Sequence, residues 1–294
     1  MRKFRGTGVA IITPFRSDSS IDFVSFGKVI NHVIEGGVNY IVAMGTTGES
    51  VTLTKDEKKA LISYVVEAID KRVPLVVGIG GNNTQEIITT IRNSNLAGVD
   101  GILSVAPYYN KPNQRGLFQH FKAIATSTDL PVILYNVPGR TCSNISSETC
   151  LQLANECENI VAIKEASGDI GQIMRIIKGK PENFSVISGD DTMTIPVISL
   201  GGSGVISVLA NAFPLQCSEL ANHALKNNFK TAREMQFHIM EMIELCFIDG
   251  NPAGVKAMLN IMNLCNNNLR LPLVPVTRPI YTRIQKAIEE FDKG

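Results

Sequence analysis

GILSVAPY, at residues 101–108, and PVILYNVP, at residues 131–138, are two short apolar runs separated by a helix-like segment, Gly116–Ser127. Each run is nearly continuous in aliphatic and β-branched residues, which is typical of parallel strands that are covered on both faces. The segment between them is amphipathic, as expected of a helix that crosses over a sheet. The sequence therefore predicts a strand–helix–strand unit.

The same unit recurs about every 25–35 residues along most of the chain. Further amphipathic segments are Lys55–Ile69, which Thr54 precedes as a predicted N-cap, and Thr84–Leu96. Eight strands joined by right-handed crossovers favour a closed (β/α)8 TIM barrel over an open α/β sheet. The six other predicted strands are GVAIITP (8–14), YIVAMGTT (40–47), VPLVVGIGG (73–81), IVAIKEAS (160–167), FSVISGDD (184–191) and SGVISVLAN (203–211).

After residue 211 the strand pattern stops and the pattern becomes helical. No flexible linker separates the two parts. We therefore expect a catalytic barrel over residues 1–225 and a C-terminal helical region over 226–294 that packs on it. The predicted helices at this end are Pro214–Lys226, Asn228–Phe247, Pro252–Asn263 and Ile280–Phe291.

The composition of the chain argues against several classes of binding partner. The chain has 294 residues, of which 44% are hydrophobic and 19% are charged, and a net charge of +1 disfavours nucleic acid and membrane surfaces as partners. The six cysteines form no C-x-x-C pair and the four histidines form no metal-binding pattern, so we expect reduced thiols and no metal site. The N-terminal apolar run is too short for a signal peptide. We expect a cytoplasmic protein.

Active sites of such barrels lie at the carboxyl ends of the strands. The sharpest candidate there is Lys164, within IVAIKEAS. Strict alternation would place it on one face with Ile160 and Ala162, directed into the barrel. A buried ammonium is costly, so a neutral, nucleophilic amine is one hypothesis. The other is a lysine that reaches solvent or pairs with Glu165.

The other strand ends carry weaker signals. Tyr135 ends its strand and is either a packed aromatic residue or a proton relay. GTTGES (45–50) offers amides and hydroxyls that suit a small carboxylate, and Arg140 is either an exposed loop residue or a clamp for a second carboxylate. Gly78–Gly81 lacks the G-x-G-x-x-G spacing, which argues against a nucleotide. The remaining polar or glycine positions at strand ends are Thr46, Thr47, Glu49, Tyr108, Tyr109, Asn136, Gly189, Asp190 and Asp191.

Six segments at strand ends, taken in order, resemble the dihydrodipicolinate synthase/N-acetylneuraminate lyase family. The match covers essentially the whole chain. It implies a Schiff base between Lys164 and pyruvate, condensation with L-aspartate 4-semialdehyde, and no metal or organic cofactor. The segments are GTTGES (45–50), APYYNKP (106–112), YNVPGR (135–140), IKEASGD (163–169), SGDD (188–191) and GVISV (204–208).

The resemblance also implies roles for individual residues. Thr46, Tyr135 and Tyr109 match hydroxyls that relay protons, with Tyr109 entering the site of a neighbouring subunit. Thr47 matches the residue that binds the pyruvate carboxylate, and Arg140 matches the one that binds the carboxylate of the semialdehyde. The carbonyl of Ile206 and the region of Gly189 line the same pocket.

The family is usually a homotetramer built as a dimer of dimers, and many members are inhibited by lysine at a subunit interface. The strongly inhibited members carry histidines at the places of Lys55 and Lys58. Two alternatives stay open: another pyruvate-dependent lyase acting on sialic or 2-keto-3-deoxy sugar acids, which would not need Arg140, and a non-catalytic sensor. The positions that match the effector site are Ser50, Val51, Lys55, Lys58, Asn82, Glu86 and Tyr108.

Overall fold

The computed structural model describes residues 3–291, so residues 1–2 and 292–294, at the outer ends of the two predicted regions, lie outside it. Its eight strands all run parallel, each pairs with the next, and β8 returns to β1 to close the barrel. The predicted fold class is confirmed. The strands are β1 (Gly6–Ala10), β2 (Tyr40–Ala43), β3 (Leu75–Gly78), β4 (Gly101–Val105), β5 (Val132–Asn136), β6 (Ile160–Glu165), β7 (Ser185–Ser188) and β8 (Gly204–Ser207).

Helices connect the strands and cover the outside of the barrel, and the last four form the helical C-terminal region. They are α1 (Phe23–Glu35), α2 (Lys55–Ile69), α3 (Thr84–Asn93), α4 (Gln114–Thr126), α5 (Pro138–Thr141), α6 (Ser147–Glu156), α7 (Ile170–Gly179), α8 (Thr194–Ser199), α9 (Pro214–Leu225), α10 (Phe229–His238), α11 (Met240–Phe247), α12 (Ala253–Ile261) and α13 (Arg278–Phe291).

The predicted strands are in the right places but too long at their carboxyl ends. The run 40–47, for example, is extended only as far as Ala43, because Met44 adopts a left-handed backbone with φ of 55°. That conformation cannot continue a strand. The residues beyond the strand ends form the loops that surround the barrel mouth.

Two apolar layers, one inside the barrel and one between strands and helices, explain the continuous apolar runs. Strand residues such as Val42 and Ile133 belong to the inner layer, and neighbours such as Ile41 and Leu134 belong to the outer one. The seam between β8 and β1 requires a glycine at position 204, where φ is 147° and a Cβ atom would collide with the carbonyl of Gly6. Closure of the barrel therefore depends on a position that tolerates no side chain.

The register of β6 departs from the predicted alternation. Val132 of β5 pairs with Ile160, but Ile133 pairs with Ala162, so the pairing skips Val161. As a result Val161 and Ala162 both belong to the inner layer and Ile160 belongs to the outer one. The expectation that Ile160 shares the face of Lys164 was wrong, because a strand irregularity shifts the alternation by one residue. Beyond it Lys164 keeps the predicted inward direction.

Local signals at helix ends had mixed outcomes. The predicted N-cap Thr54 is confirmed: its Oγ1 accepts from the amide of Glu57, and the carboxylate of Glu57 accepts from the amide of Thr54. The single helix predicted over 228–247 was wrong, because it bends at Ile239 into α10 and α11. Ile239 is itself apolar and buried, so the apolar pattern continues across the bend and gave no sign of it.

The C-terminal helices lie near the carboxyl ends of the last two strands. Both α11 and α12 contact the 3₁₀ turn Leu209–Asn211 after β8, and α11 also contacts the turn Asp191–Met193 after β7. No helix within residues 3–291 has both the length and the apolar character required to cross a membrane.

Candidate active site

A cavity of about 280 Å³ opens at the carboxyl ends of the strands. This is the end at which barrel enzymes bind their substrates. Most of its walls come from strand ends, and the rest come from the C-terminal region. The lining residues are Ala10, Val42, Gly45, Thr46, Thr47, Leu103, Tyr135, Val137, Arg140, Lys164, Ala166, Gly189, Asp190, Thr192, Val208, Ile243, Glu244, Phe247 and Asn251.

Lys164 extends from β6 into this cavity and is only 5% exposed. Its Nζ lies 4.4 Å from the centre of the Tyr135 ring, on the adjacent strand. It forms no ion pair with any carboxylate of residues 3–291. A primary amine that lines such a cavity can act as a nucleophile towards a carbonyl carbon.

Glu165, the alternative partner of Lys164, points to the other side of the strand. Its carboxylate accepts from Asn136 Nδ2 at 3.1 Å on both oxygens and from the amide of Ser167 at 3.1 Å. Burial raises the pKa of the Glu165 carboxyl. Lys164 is therefore neither solvent-exposed nor paired with its neighbour, and that alternative reading was wrong.

Gly189 makes room for the lysine. A Cβ atom at this position would lie 2.8 Å from the Cβ of Ala166 and 3.0 Å from the Cε of Lys164. These separations are shorter than ordinary van der Waals contacts. A glycine after β7 thus allows the aliphatic part of Lys164 to pass towards the cavity.

The loop after β2 places two hydroxyls in the same cavity. Thr46 is exposed towards it, whereas Thr47 is 2% exposed and its Oγ1 accepts from Asn251 Nδ2 at 3.0 Å. The loop is closed by a turn in which the amide of Gly48 donates to the carbonyl of Gly45 at 3.2 Å. The two threonines thus come from one turn.

Arg140 lies in α5, a single helical turn that begins at Pro138 directly after β5. Its side chain is exposed and lines the cavity, and it forms no ion pair within the described part of the chain. An unpaired guanidinium at the cavity wall has its donors free for a carboxylate.

Two predicted site residues do not line the cavity. Ile206 is fully buried in the inner apolar layer of the barrel. Tyr109 is 90% exposed and has a left-handed backbone, with φ of 65°. Neither side chain reaches the cavity of its own chain.

The residues that match the effector site lie together on the surface. The amide of Tyr108 donates to Asn82 Oδ1 at 2.9 Å, and Lys55 Nζ lies 3.9 Å from Glu86 Oε1. Val51 is 80% exposed. Ser50 and Lys58 are half-buried on the elements that carry Val51 and Lys55.

Sequence reasoning missed the contribution of the C-terminal region to the cavity, which consists of Ile243, Glu244, Phe247 and Asn251. The first three are on α11, and Asn251 precedes α12. No spacing relates them to the strand ends, and Asn251 lies 204 residues from its partner Thr47. The only local signal was the Asn251–Pro252 dipeptide, which marks a turn and no function.

Within residues 3–291 no three His, Cys, Asp or Glu side chains are arranged to hold a metal ion. All six cysteines are free thiols, and five of them are buried. The titratable and hydroxyl groups that line the cavity are the amine of Lys164, the guanidinium of Arg140, four hydroxyls and two carboxylates; the hydroxyls belong to Thr46, Thr47, Tyr135 and Thr192, and the carboxylates to Asp190 and Glu244.

These features define the class: the chain is a (β/α)8-barrel enzyme with a buried lysine in its cavity. It belongs to the dihydrodipicolinate synthetase family, whose model matches residues 3–291. A relative from Parabacteroides distasonis, named 4-hydroxy-tetrahydrodipicolinate synthase, is 49% identical over 98% of this chain and 97% of its own.

Solved structures agree with this assignment. A dihydrodipicolinate synthase from Acinetobacter baumannii, complexed with pyruvate, superposes with a TM-score of 0.95 at 39% identity, over 98% of this chain and 99% of the other. The enzyme from Cyanidioschyzon merolae, with lysine bound, has a TM-score of 0.96 at 36% identity, over 99% of each chain. The family resemblance predicted from the ordered strand-end segments is confirmed.

Proposed function

We propose that this chain condenses pyruvate with L-aspartate 4-semialdehyde through a Schiff base on Lys164, the reaction of a 4-hydroxy-tetrahydrodipicolinate synthase. The observation that carries the proposal is the position of Lys164 Nζ, which is buried in the cavity above Tyr135 and unpaired within residues 3–291. The names of the relatives support the same reaction.

In this mechanism the neutral amine of Lys164 attacks the ketone carbon of pyruvate, and the resulting carbinolamine loses water to give an iminium ion. Loss of a proton from the methyl group then gives an enamine, with the iminium as electron sink. The enamine carbon attacks the aldehyde carbon of the semialdehyde, whose oxygen takes up a proton. The amino group of the adduct finally displaces Lys164 as the ring closes. No metal or organic cofactor takes part in these steps.

The proton transfers require hydroxyls beside the reacting nitrogen. Tyr135 is adjacent to Lys164 in the barrel, and Thr46 lines the same cavity. Tyr109 is the third hydroxyl of the proposal, and its exposure suits insertion into the site of a second subunit. We therefore propose a homo-oligomer, a tetramer arranged as a dimer of dimers.

Two groups would bind the carboxylates of the two substrates. Thr47 would donate to the pyruvate carboxylate, since Asn251 Nδ2 already donates to its Oγ1 and leaves the hydroxyl hydrogen free. Arg140 would bind the carboxylate of the semialdehyde with its unpaired guanidinium. The absence of a side chain at Gly189 leaves room for Lys164, and the backbone carbonyl of Ile206 would line the pocket next to the iminium.

The surface cluster around Glu86 and Tyr108 is the proposed site for lysine as an effector. Glu86 offers a carboxylate for an amine, but it already has Lys55 3.9 Å away. An effector ammonium would have to compete with that cation. We therefore expect weak inhibition by lysine.

The free thiols suit a reducing compartment, and we place the reaction in the cytoplasm.

Borohydride reduction in the presence of pyruvate tests the proposal. The wild-type chain should gain the mass of one reduced pyruvate adduct, and peptide mapping should place it on Lys164. Lys164→Ala should abolish the gain and lower turnover by several orders of magnitude, whereas Lys122→Ala, at a half-exposed lysine of α4, should change neither. A wild-type chain that turns over the substrates without trapping would exclude the mechanism.

Arg140→Ala separates this reaction from that of a lyase for sugar acids. The variant should still trap pyruvate but should lose most of its kcat/KM for the semialdehyde, because only the second carboxylate loses its cation. An equal loss in both steps would contradict the assigned role. Cleavage of sialic or 2-keto-3-deoxy sugar acids by the wild type, without condensation, would favour the lyase. A non-catalytic sensor, which forms no imine, would gain no mass when it is reduced with borohydride in the presence of pyruvate.

A further inference from the structure

The loop that carries Thr46 and Thr47 has a backbone that its residue types disfavour. Met44 and Glu49, at its two ends, have φ values of 55° and 51°. Left-handed backbone is unfavourable for residues with a Cβ atom, and here it occurs twice within six residues. Contacts from outside the loop must therefore stabilise this conformation.

One of these contacts is a buried ion pair with the C-terminal region. Lys256 Nζ, on α12, donates to Glu49 Oε1 at 2.5 Å and to the carbonyl of Asn268 at 2.9 Å. The amide of Arg270 donates to Glu49 Oε2 at 3.0 Å. Both side chains of the pair are 0% exposed, and the Phe15 ring centre lies 4.4 Å from Lys256 Nζ. Both carboxylate oxygens are thus occupied by donors from the C-terminal region.

The same region holds the loop at a second point. Asn251 Nδ2 donates to Thr47 Oγ1, two residues before Glu49. Asn251 and Lys256 flank the start of α12, so one segment fixes both the hydroxyl and the residue that ends the loop. A displacement of α12 would move both contacts together.

A buried ion pair is a poor choice for stability alone. Removing two charges from water costs about as much as their attraction returns, and apolar replacements are often neutral or stabilising. Burial lowers the pKa of Lys256, which indicates that desolvation opposes its charge despite the nearby carboxylate. The contacts orient Glu49, since donors from the C-terminal region occupy both of its carboxylate oxygens.

We infer that Lys256 is a positioning residue which, through Glu49, holds the loop that binds the pyruvate carboxylate. The inference rests on the proposed function. It assigns to the C-terminal region a part in substrate binding that neither Lys256 nor Glu49 could have by contact, since neither lines the cavity.

The test uses the double variant Glu49→Gln/Lys256→Met, which removes both charges together. Lys256→Met alone would leave a buried, unpaired carboxylate and could prevent folding. The pyruvate concentration that half-saturates borohydride trapping should rise about tenfold or more, as expected when a binding group is displaced by a fraction of an ångström to an ångström. The kcat/KM for the semialdehyde, at saturating pyruvate, should stay within about threefold.

The matched control is Glu241→Gln/Arg283→Met, which removes a half-exposed ion pair whose residues do not line the cavity. It should leave both constants unchanged. If the Glu49/Lys256 variant unfolds at a lower temperature but binds pyruvate normally well below its transition, the pair is only structural and the inference is wrong. If the wild type itself does not trap pyruvate, the proposed function fails instead.

Should the double variant not fold, Phe15→Leu replaces it. That change removes the ring beside Lys256 and keeps both charges. A smaller rise in the half-saturating concentration, about two- to fivefold, is then expected, with the semialdehyde step unchanged. No rise in a folded Phe15→Leu chain would count against the inference.

Discussion

At the scale of single residues, the site depends on what surrounds one amine. The sequence predicted that Lys164 points into the barrel, because alternation along a short strand is a local property. It could not predict that Lys164 has no counter-ion within residues 3–291, since Glu165 is adjacent in sequence and its carboxylate is held on the opposite face by Asn136. The burial of Lys164 also depends on residues that are far away in the chain.

Tyr135→Phe separates the ring of this residue from its hydroxyl. The ring should still pack against Lys164, but proton transfer should be slower, so we expect kcat to fall by about 100-fold or more. Borohydride trapping should still reach completion on long incubation, and the unfolding temperature should change little. Steady-state kinetics and mass spectrometry measure the two effects. Unchanged turnover would show that the phenol takes no part.

Gly189→Ala tests whether the lysine needs the space beside it. The added methyl group would lie 2.8 Å from Ala166 Cβ and 3.0 Å from Lys164 Cε, so Lys164 must shift. We expect imine formation to slow by about tenfold or more. Gly81→Ala is the control, because a Cβ atom there meets no heavy atom within 4 Å. Equal rates in both variants would mean that the lysine adapts at no cost.

At the scale of elements, sequence patterns located the strands and most helices but not their irregularities. The skipped residue Val161 in β6 and the bend at Ile239 both occur inside runs whose apolar pattern is uninterrupted. Such features arise from how neighbouring elements fit together, and tertiary packing decides them. The N-cap at Thr54 was predictable because its partner is three residues away.

The contact between α3 and α4 should make stability depend on pH. His120 Nδ1 lies 2.8 Å from Thr84 Oγ1, and its buried Nε2 has no hydrogen-bond partner among residues 3–291. Burial lowers the pKa of His120 from 6.5 to about 4. Between pH 6.5 and pH 4, His120 is mostly protonated in the unfolded chain and mostly neutral in the folded chain. The stabilisation from neutral His120 is therefore complete above pH 6.5 and lost as the pH falls towards 4.

The variant His120→Gln can keep a hydrogen bond to Thr84 and does not titrate. Relative to it, the wild type should lose about 3 kcal/mol of unfolding free energy between pH 7.5 and pH 4. Denaturant unfolding at a series of pH values measures this difference. A difference that stays constant with pH would mean that His120 is readily protonated in the folded chain.

At the scale of the whole molecule, the site is assembled from parts that are distant in the chain. The strand ends were predictable from the (β/α)8 pattern, whereas the wall formed by Phe247 and Asn251 was not, because only the folded chain brings it there. The proposed role of Tyr109 would extend this assembly to a second molecule. It is 90% exposed and does not line the cavity of its own chain, so the proposed relay is complete only in an oligomer.

Complementation between two inactive variants tests this arrangement. A Tyr109→Ala subunit keeps the amine of Lys164 but offers no Tyr109 hydroxyl to the site of its partner. A Lys164→Ala subunit offers the Tyr109 hydroxyl but lacks the amine. Co-expressed and randomly paired, half of the dimers are mixed, and each mixed dimer has one complete site out of two. Turnover should therefore recover to about a quarter of the wild-type value per site. If Tyr109 acted within its own chain, every site of the mixture would lack one of the two groups, and the mixture would be no more active than the average of its components. Variants purified separately and mixed without subunit exchange provide the baseline against which recovery is measured.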